Sequence, residues 1–126
     1  MSDARGSGAW PLVGVWLLLQ LTLTSLPGSA MPEVSVSIYD SGHLVMYGGL
    51  GGLVARAVLR GRYPAERLPL VWLVIVLFGV LDEWHQRFIP GRYPSVTDMV
   101  YDAIGAAAGL WFGATILRRR WAAWLR

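Results

Sequence analysis

Four apolar runs, at residues 10–26, 42–59, 68–84 and 96–117, fill most of the chain. A hydrocarbon core about 30 Å thick takes roughly 17 to 25 helical residues to cross, and each run comes close to that length. The expected fold class is all-α: a polytopic membrane protein with four transmembrane helices, forming a single domain over residues 1–126. Composition agrees, with 55% hydrophobic residues, 15% charged residues and a mean hydropathy of +0.47, values of a membrane protein. The first and third runs are short and should stand upright or anchor through tryptophan at the interface.

The basic residues set the orientation. The chain has no lysine, so all 11 are arginine. With an even number of spans, Arg5, Arg56, Arg60, Arg62, Arg67, Arg118, Arg119, Arg120 and Arg126 fall on one side, and Arg87 and Arg92 on the other. Cytoplasmic loops carry the positive excess, which predicts cytoplasmic termini, a cytoplasmic "RGRYPAER" loop and a multi-pass location in the cytoplasmic (inner) membrane. The small residues "GSA" at 28–30 raise the question of signal cleavage. The apolar run before them is longer than a usual h-region and only Arg5 precedes it, so a retained helix is expected. The net charge of +3 orients the protein and touches anionic lipid; nucleic acid binding is not indicated. The absence of cysteine decides nothing about compartment.

Lipid tails are as apolar as leucine, so helices associate through close backbone approach or polar contacts. Gly48 and Gly52 lie four apart, as do Gly105, Gly109 and Gly113. These stripes are expected to pack the second helix against the fourth, with a homodimer seam as the alternative.

Ionisable residues gather where the runs meet the outer side. In "GVLDEWHQRFIPGRYPSVTDMVYDAIG", residues 79–105, Asp82, Glu83 and Gln86 share the last turn of the third helix, where the dipole disfavours carboxylates. Arg87, Arg92 or a bound cation should compensate, and an ion pair from Arg92 to Asp82, Glu83 or Asp98 is expected. Ser95 and Asp98 form a capping-box pattern at the start of the fourth helix. Asp102 lies one turn deeper, where a carboxylate is a functional candidate by default. In "YDSGHLVMYGG", Asp40 is a candidate cap, and His43 and Tyr47 continue its face. The topology brings His43, Asp82, Glu83, Gln86, Arg92, Asp98 and Asp102 to one leaflet as a polar pocket. His85 should point to water or headgroups.

"DEWHQRFIPGRYPSVTDMVYDAIGAAAG" resembles the signature region of VanZ-like integral membrane proteins: Asp-Glu, a glutamine three further on, a Pro-Gly-Arg turn, then an aspartate and a glycine-rich helix. "YDSGHLVMYGGLG" is similar to the family's earlier Asp, His and Tyr element. The likeness is strongest over residues 39–109 and implies four helices, a place at the cell envelope, and polar positions at His43, Asp82, Glu83, Gln86, Arg92 and Asp98. The family's namesake gives low-level resistance to the glycopeptide teicoplanin. Where the family usually carries asparagine, this chain has Asp102, an extra negative charge.

Two functions of different classes stay open. In the first, the pocket binds a membrane lipid, or a lipid-linked or peptidoglycan-related headgroup, with Arg92 gripping phosphate or carboxylate and no cofactor. In the second, Asp82, Glu83 and Asp98 with His43 hold a divalent cation such as magnesium, calcium or manganese, for hydrolysis or transfer on a lipid-linked phosphate with His43 or Glu83 as base. The chain has no HExxH pair, GxSxG turn or cysteine nucleophile, which weighs against the enzyme. Proton or ion transport ranks last, because the acids lie at one end of the helices rather than near the midplane; a purely structural polar plug that fixes the register of the bundle is a further alternative.

Overall fold

A computed structural model describes residues 8–61 and 63–124, and they fold into four helices: α1 (Trp10–Thr24), α2 (Val36–Arg60), α3 (Leu68–Gln86) and α4 (Val96–Trp124). Single 3-10 turns at Gly28–Ala30 and Ala65–Arg67 interrupt the first two connections. Arg5, Arg62 and Arg126, used above for orientation, lie outside the described residues.

The outer surface is largely apolar, while the interior holds polar side chains beside an apolar core that includes Leu50, Val54 and Ile75. Leu18, Leu73, Val74, Leu77, Trp111 and Phe112 are exposed, whereas Gln20, Asp82, Glu83, Gln86, Asp98 and Asp102 are buried. Large apolar surface facing outward and carboxylates facing inward cost free energy in water and suit a hydrocarbon surround. Two helices, Val36–Arg60 and Val96–Arg120, are long and apolar enough to cross a membrane, with mean hydropathies of 1.2 and 1.4 over their best windows. The helix α1 has only 15 residues, and α3 gives its last turn to Asp82, Glu83, His85 and Gln86, leaving residues 68–81 as its apolar part.

The α2–α4 pair is the spine of the fold, and the two glycine stripes meet along it. A Cβ on Gly109 would run into the Gly48 carbonyl, and one on Gly105 would lie 2.7 Å from the Leu44 carbonyl oxygen. The stripes therefore pack against each other within one chain. Indole N–H groups fasten the flanking helices: Trp16 Nε1 donates to the Met46 carbonyl at 2.9 Å and Trp72 Nε1 to the Ala103 carbonyl at 2.9 Å.

Helix α2 starts earlier than its apolar run. Ser35 Oγ accepts from Ile38 N–H at 3.4 Å and caps it, so Asp40 lies inside the helix rather than at its cap. The polar turn "VSIYDS" is helical because the cap and the chain that follows favour it, although its hydropathy sets it apart from 42–59. At the same end of the bundle the connections are tied together: Gly28 N–H donates to the Pro90 carbonyl at 2.9 Å. Gly91 adopts φ +74°, open to glycine without steric cost, and a Cβ on Gly28 would collide with its carbonyl.

Candidate functional site

The polar residues at this end divide into two connected groups around His43. Behind it, on α3 and α4, lie Glu83, Asp98 and Asp102; in front of it, a cavity of about 280 Å³ opens between α1, α2 and the C-terminal part of α3. His43, Asp82, Gln86 and Arg92 line the cavity, together with Gln20, Thr24, Tyr39 and Tyr47. Glu83, Asp98 and Asp102 are not part of its wall. The expected single pocket is thus a lined cavity backed by an acidic cluster.

Both imidazole nitrogens of His43 face carboxylates. Nδ1 lies 2.8 Å from Asp102 Oδ1, and Nε2 lies 3.7 Å from Asp98 Oδ2. A neutral imidazole has one N–H and an imidazolium has two, so only the charged ring can donate toward both acids. The Tyr39 ring covers His43, with centroids 5.0 Å apart.

Glu83 supports the start of α4 from outside that helix. Its Oε2 accepts the Ser95 backbone N–H at 3.0 Å, while Ser95 Oγ accepts the Asp98 N–H at 3.3 Å. In an ordinary capping box the acid at the third helical position reaches back to the cap N–H. Here a residue of α3 takes that place, which leaves the Asp98 carboxylate free to turn toward His43. Gln86 Nε2 donates to the other Glu83 oxygen at 3.2 Å, and Thr24 Oγ1 donates to Asp82 Oδ1 at 2.8 Å.

The expected pairing of Arg92 with an acid is corrected. Its guanidinium donates to the Tyr39 hydroxyl at 3.4 Å and to the Leu23 carbonyl at 3.1 Å; among the described residues it forms no salt bridge to a carboxylate. The physical reason is that the acids already have partners: Thr24 donates to Asp82, Ser95 and Gln86 donate to Glu83, His43 bonds Asp102, and Asp98 faces the same imidazole at 3.7 Å. The Arg92 Nε is buried without a partner. Arg87 is exposed. His85 is only half-exposed, and its Nδ1 is buried and unpartnered, unlike the solvent-facing histidine expected.

Could the acidic cluster hold a metal? Ligand atoms of His43, Glu83 and Asp102 all lie within 4.8 Å of one another, a separation compatible with a shared ion at metal–ligand distances of about 2.0 to 2.6 Å. This set replaces Asp82 and Asp98 of the expected one by Asp102. Its donors are engaged with each other and with Ser95, so an ion would have to displace the 2.8 Å contact between His43 and Asp102.

A sequence profile described as VanZ/LLP1 matches residues 11–118. The chain belongs to the VanZ-like family. No curated protein and no solved structure matches it. In this VanZ-like protein Asp102 is the residue bound directly to His43.

Four polar cavity residues were missed by sequence reasoning: Gln20, Thr24, Tyr39 and Tyr47. Tyr47 was placed on the His43 face but given no role. One signal for Gln20 existed, because it is the sole amide in the first apolar run, and a polar group in hydrocarbon is a candidate by default. The contact of Thr24 with Asp82 joins residues 58 apart and has no local signature.

Proposed function

We propose that this VanZ-like protein spans the cytoplasmic membrane four times with both termini inside, and that its cavity holds the anionic headgroup of a membrane lipid or lipid-linked envelope component. One observation supports this most: Arg92 lines the cavity with no carboxylate bound to it and with its Nε unbonded. Its terminal nitrogens bond only neutral acceptors, which a phosphate would replace with paired, charge-assisted hydrogen bonds. The rim residues Leu23, Val34 and Ile38 are apolar and exposed, as a surface beside lipid chains would be. At about 280 Å³ the cavity is slightly smaller than the roughly 300 to 1,000 Å³ of whole-ligand pockets. That volume suits a headgroup whose chains remain in the bilayer.

Thermal melting in detergent tests the proposal. Dihexanoyl phosphatidic acid should raise the melting temperature and the zwitterionic phosphatidylcholine of the same chain length should not. At a hundredfold excess over the dissociation constant the gain is about 2.7 kcal/mol; no difference between the two lipids defeats the reading. The connection to glycopeptide resistance is tested separately, by teicoplanin susceptibility of cells with and without the protein.

A second reading, a metal-dependent hydrolase or transferase acting on a lipid-linked phosphate, is favoured by the spacing of His43, Glu83 and Asp102. Stabilisation by magnesium, manganese, calcium or zinc that disappears in Glu83→Gln would support it. Melting curves unchanged by all four ions would remove it.

A further inference from the structure

The cavity has a second polar feature that anion binding at Arg92 leaves unused. Gln20 is 1% exposed and Tyr47 2% exposed, both line the cavity, and the Gln20 Oε1 and Nε2 and the Tyr47 hydroxyl all lack a hydrogen bond of ordinary geometry. A buried polar group left unpaired is costly, and a ligand that bonds to it recovers that cost. The Gln20 amide already lies close enough to act on the Tyr47 hydroxyl, yet a carboxamide has two donor hydrogens and a carbonyl. One bond to Tyr47 would still leave an amide end unmet.

Their position relative to Arg92 has chemical meaning. Arg92 donates to the Leu23 carbonyl, and Gln20 lies three residues earlier on α1, about 4.5 Å further from the connected loops at 1.5 Å per residue. These polar atoms lie just beneath a cavity wall that is apolar, with Met31, Val34, Ile38 and Met46 in it, so small side-chain movements would present a cation nearest the loops and two neutral donors roughly one helical turn deeper.

We infer that the cavity takes an anionic glycerophospholipid, one whose phosphate carries no neutralising cation: Arg92 binds the phosphate, and Gln20 Nε2 and the Tyr47 hydroxyl donate to an ester carbonyl one turn deeper. This rests on the headgroup reading above and adds the class of lipid. In such a lipid the glycerol carbons link a phosphate to ester carbonyls that lie below it toward the chains, in the order the site presents. A polyprenyl phosphate also carries phosphate, but its isoprenoid chain would set hydrocarbon against Gln20 and leave the amide unmet.

Three phosphate lipids separate these cases: dihexanoyl phosphatidic acid, its dihexyl ether analogue without carbonyls, and decyl phosphate. Binding to purified protein in detergent is measured for each by titration calorimetry. The diester should bind about tenfold tighter than the diether, since each neutral hydrogen bond contributes about 0.5 to 1.5 kcal/mol. Gln20→Leu and Tyr47→Phe should each shrink that ratio, and the double variant should abolish it. Both replace an unmet polar group by an apolar one of similar shape, so the melting temperature of the ligand-free protein should hold or rise. A structural role for Gln20 would lower it.

Equal affinity for diester and diether in the wild-type protein overturns the inference, and that comparison needs no variant to fold. A preference that survives the double substitution also overturns the assignment to Gln20 and Tyr47. Tighter binding of decyl phosphate than of the diester would give the site to single-chain or polyprenyl phosphates. Failure of the underlying headgroup reading looks different: Arg92→Gln would then leave the affinities of all three phosphates unchanged.

Discussion

Glu83 Oε2 accepts the backbone N–H of Ser95 at 3.0 Å, so the last turn of α3 caps the first turn of α4. The loop between them, with its Pro-Gly-Arg turn, brings an acid of one helix to the orphan donor of the next. Asp98, relieved of the usual capping contact, faces His43.

Glu83→Ala removes this cap and the partner of Gln86 together. Loss of an N-cap contact costs about 0.5 to 2 kcal/mol, and the buried Gln86 amide loses its acceptor as well. Glu83→Gln keeps a carbonyl oxygen that can accept from Ser95. Thermal melting in detergent should therefore show a clear loss for alanine and a smaller one for glutamine; equal stability of both variants and the wild type would mean that Glu83 does not cap α4.

The glycine contact gives a sharper stability test. Gly109→Ala forces a methyl group into the Gly48 carbonyl of the spine, and overpacking of this kind costs about 1 to 3 kcal/mol. Gly14→Ala meets nothing within 4 Å and should leave the melting temperature unchanged or raise it, since alanine is the better helix former. Equal tolerance at both positions would contradict the α2–α4 packing.

These contacts show what could be read from the chain itself. The spacing of Gly48 and Gly52 against Gly105, Gly109 and Gly113 is local, and the expected α2–α4 packing is the one observed. The meeting of His43 with Asp98 and Asp102 followed from topology, because the ends of neighbouring helices must share a leaflet. What stayed hidden depends on direction. Spacing cannot say that Arg92 turns toward Leu23 and Tyr39 rather than toward an acid, or that Thr24 of α1 takes up Asp82. The division of the polar set into a cavity wall and an acidic backing likewise depends on side-chain orientation on three helices at once.

Orientation in the membrane is tested by labelling. The chain has no cysteine, so Pro94→Cys introduces a single reactive thiol in the α3–α4 loop. An impermeant maleimide added to intact cells should modify it. Modification only in inverted vesicles would reverse the proposed topology and put the cavity in the cytoplasmic leaflet.

Asp102 tests how far the acidic backing influences the cavity. Asp102→Asn keeps an oxygen that can accept from His43 Nδ1 but removes one of the two negative charges facing the ring. Affinity for phosphatidic acid should rise severalfold, because a like charge near the anion disfavours it. Unchanged affinity would mean that His43 isolates the cavity from the carboxylates behind it.

The central claim is that Arg92 holds an anion in the cavity, and the most direct measurement is the dissociation constant of dihexanoyl phosphatidic acid for the wild-type protein and for Arg92→Gln at one fixed ionic strength. Charge-assisted hydrogen bonds contribute about 1.5 to 3 kcal/mol, so the account predicts weakening of at least about tenfold in Arg92→Gln, with no comparable change for phosphatidylcholine of the same chain length. Equal affinity of the two proteins for phosphatidic acid would contradict it.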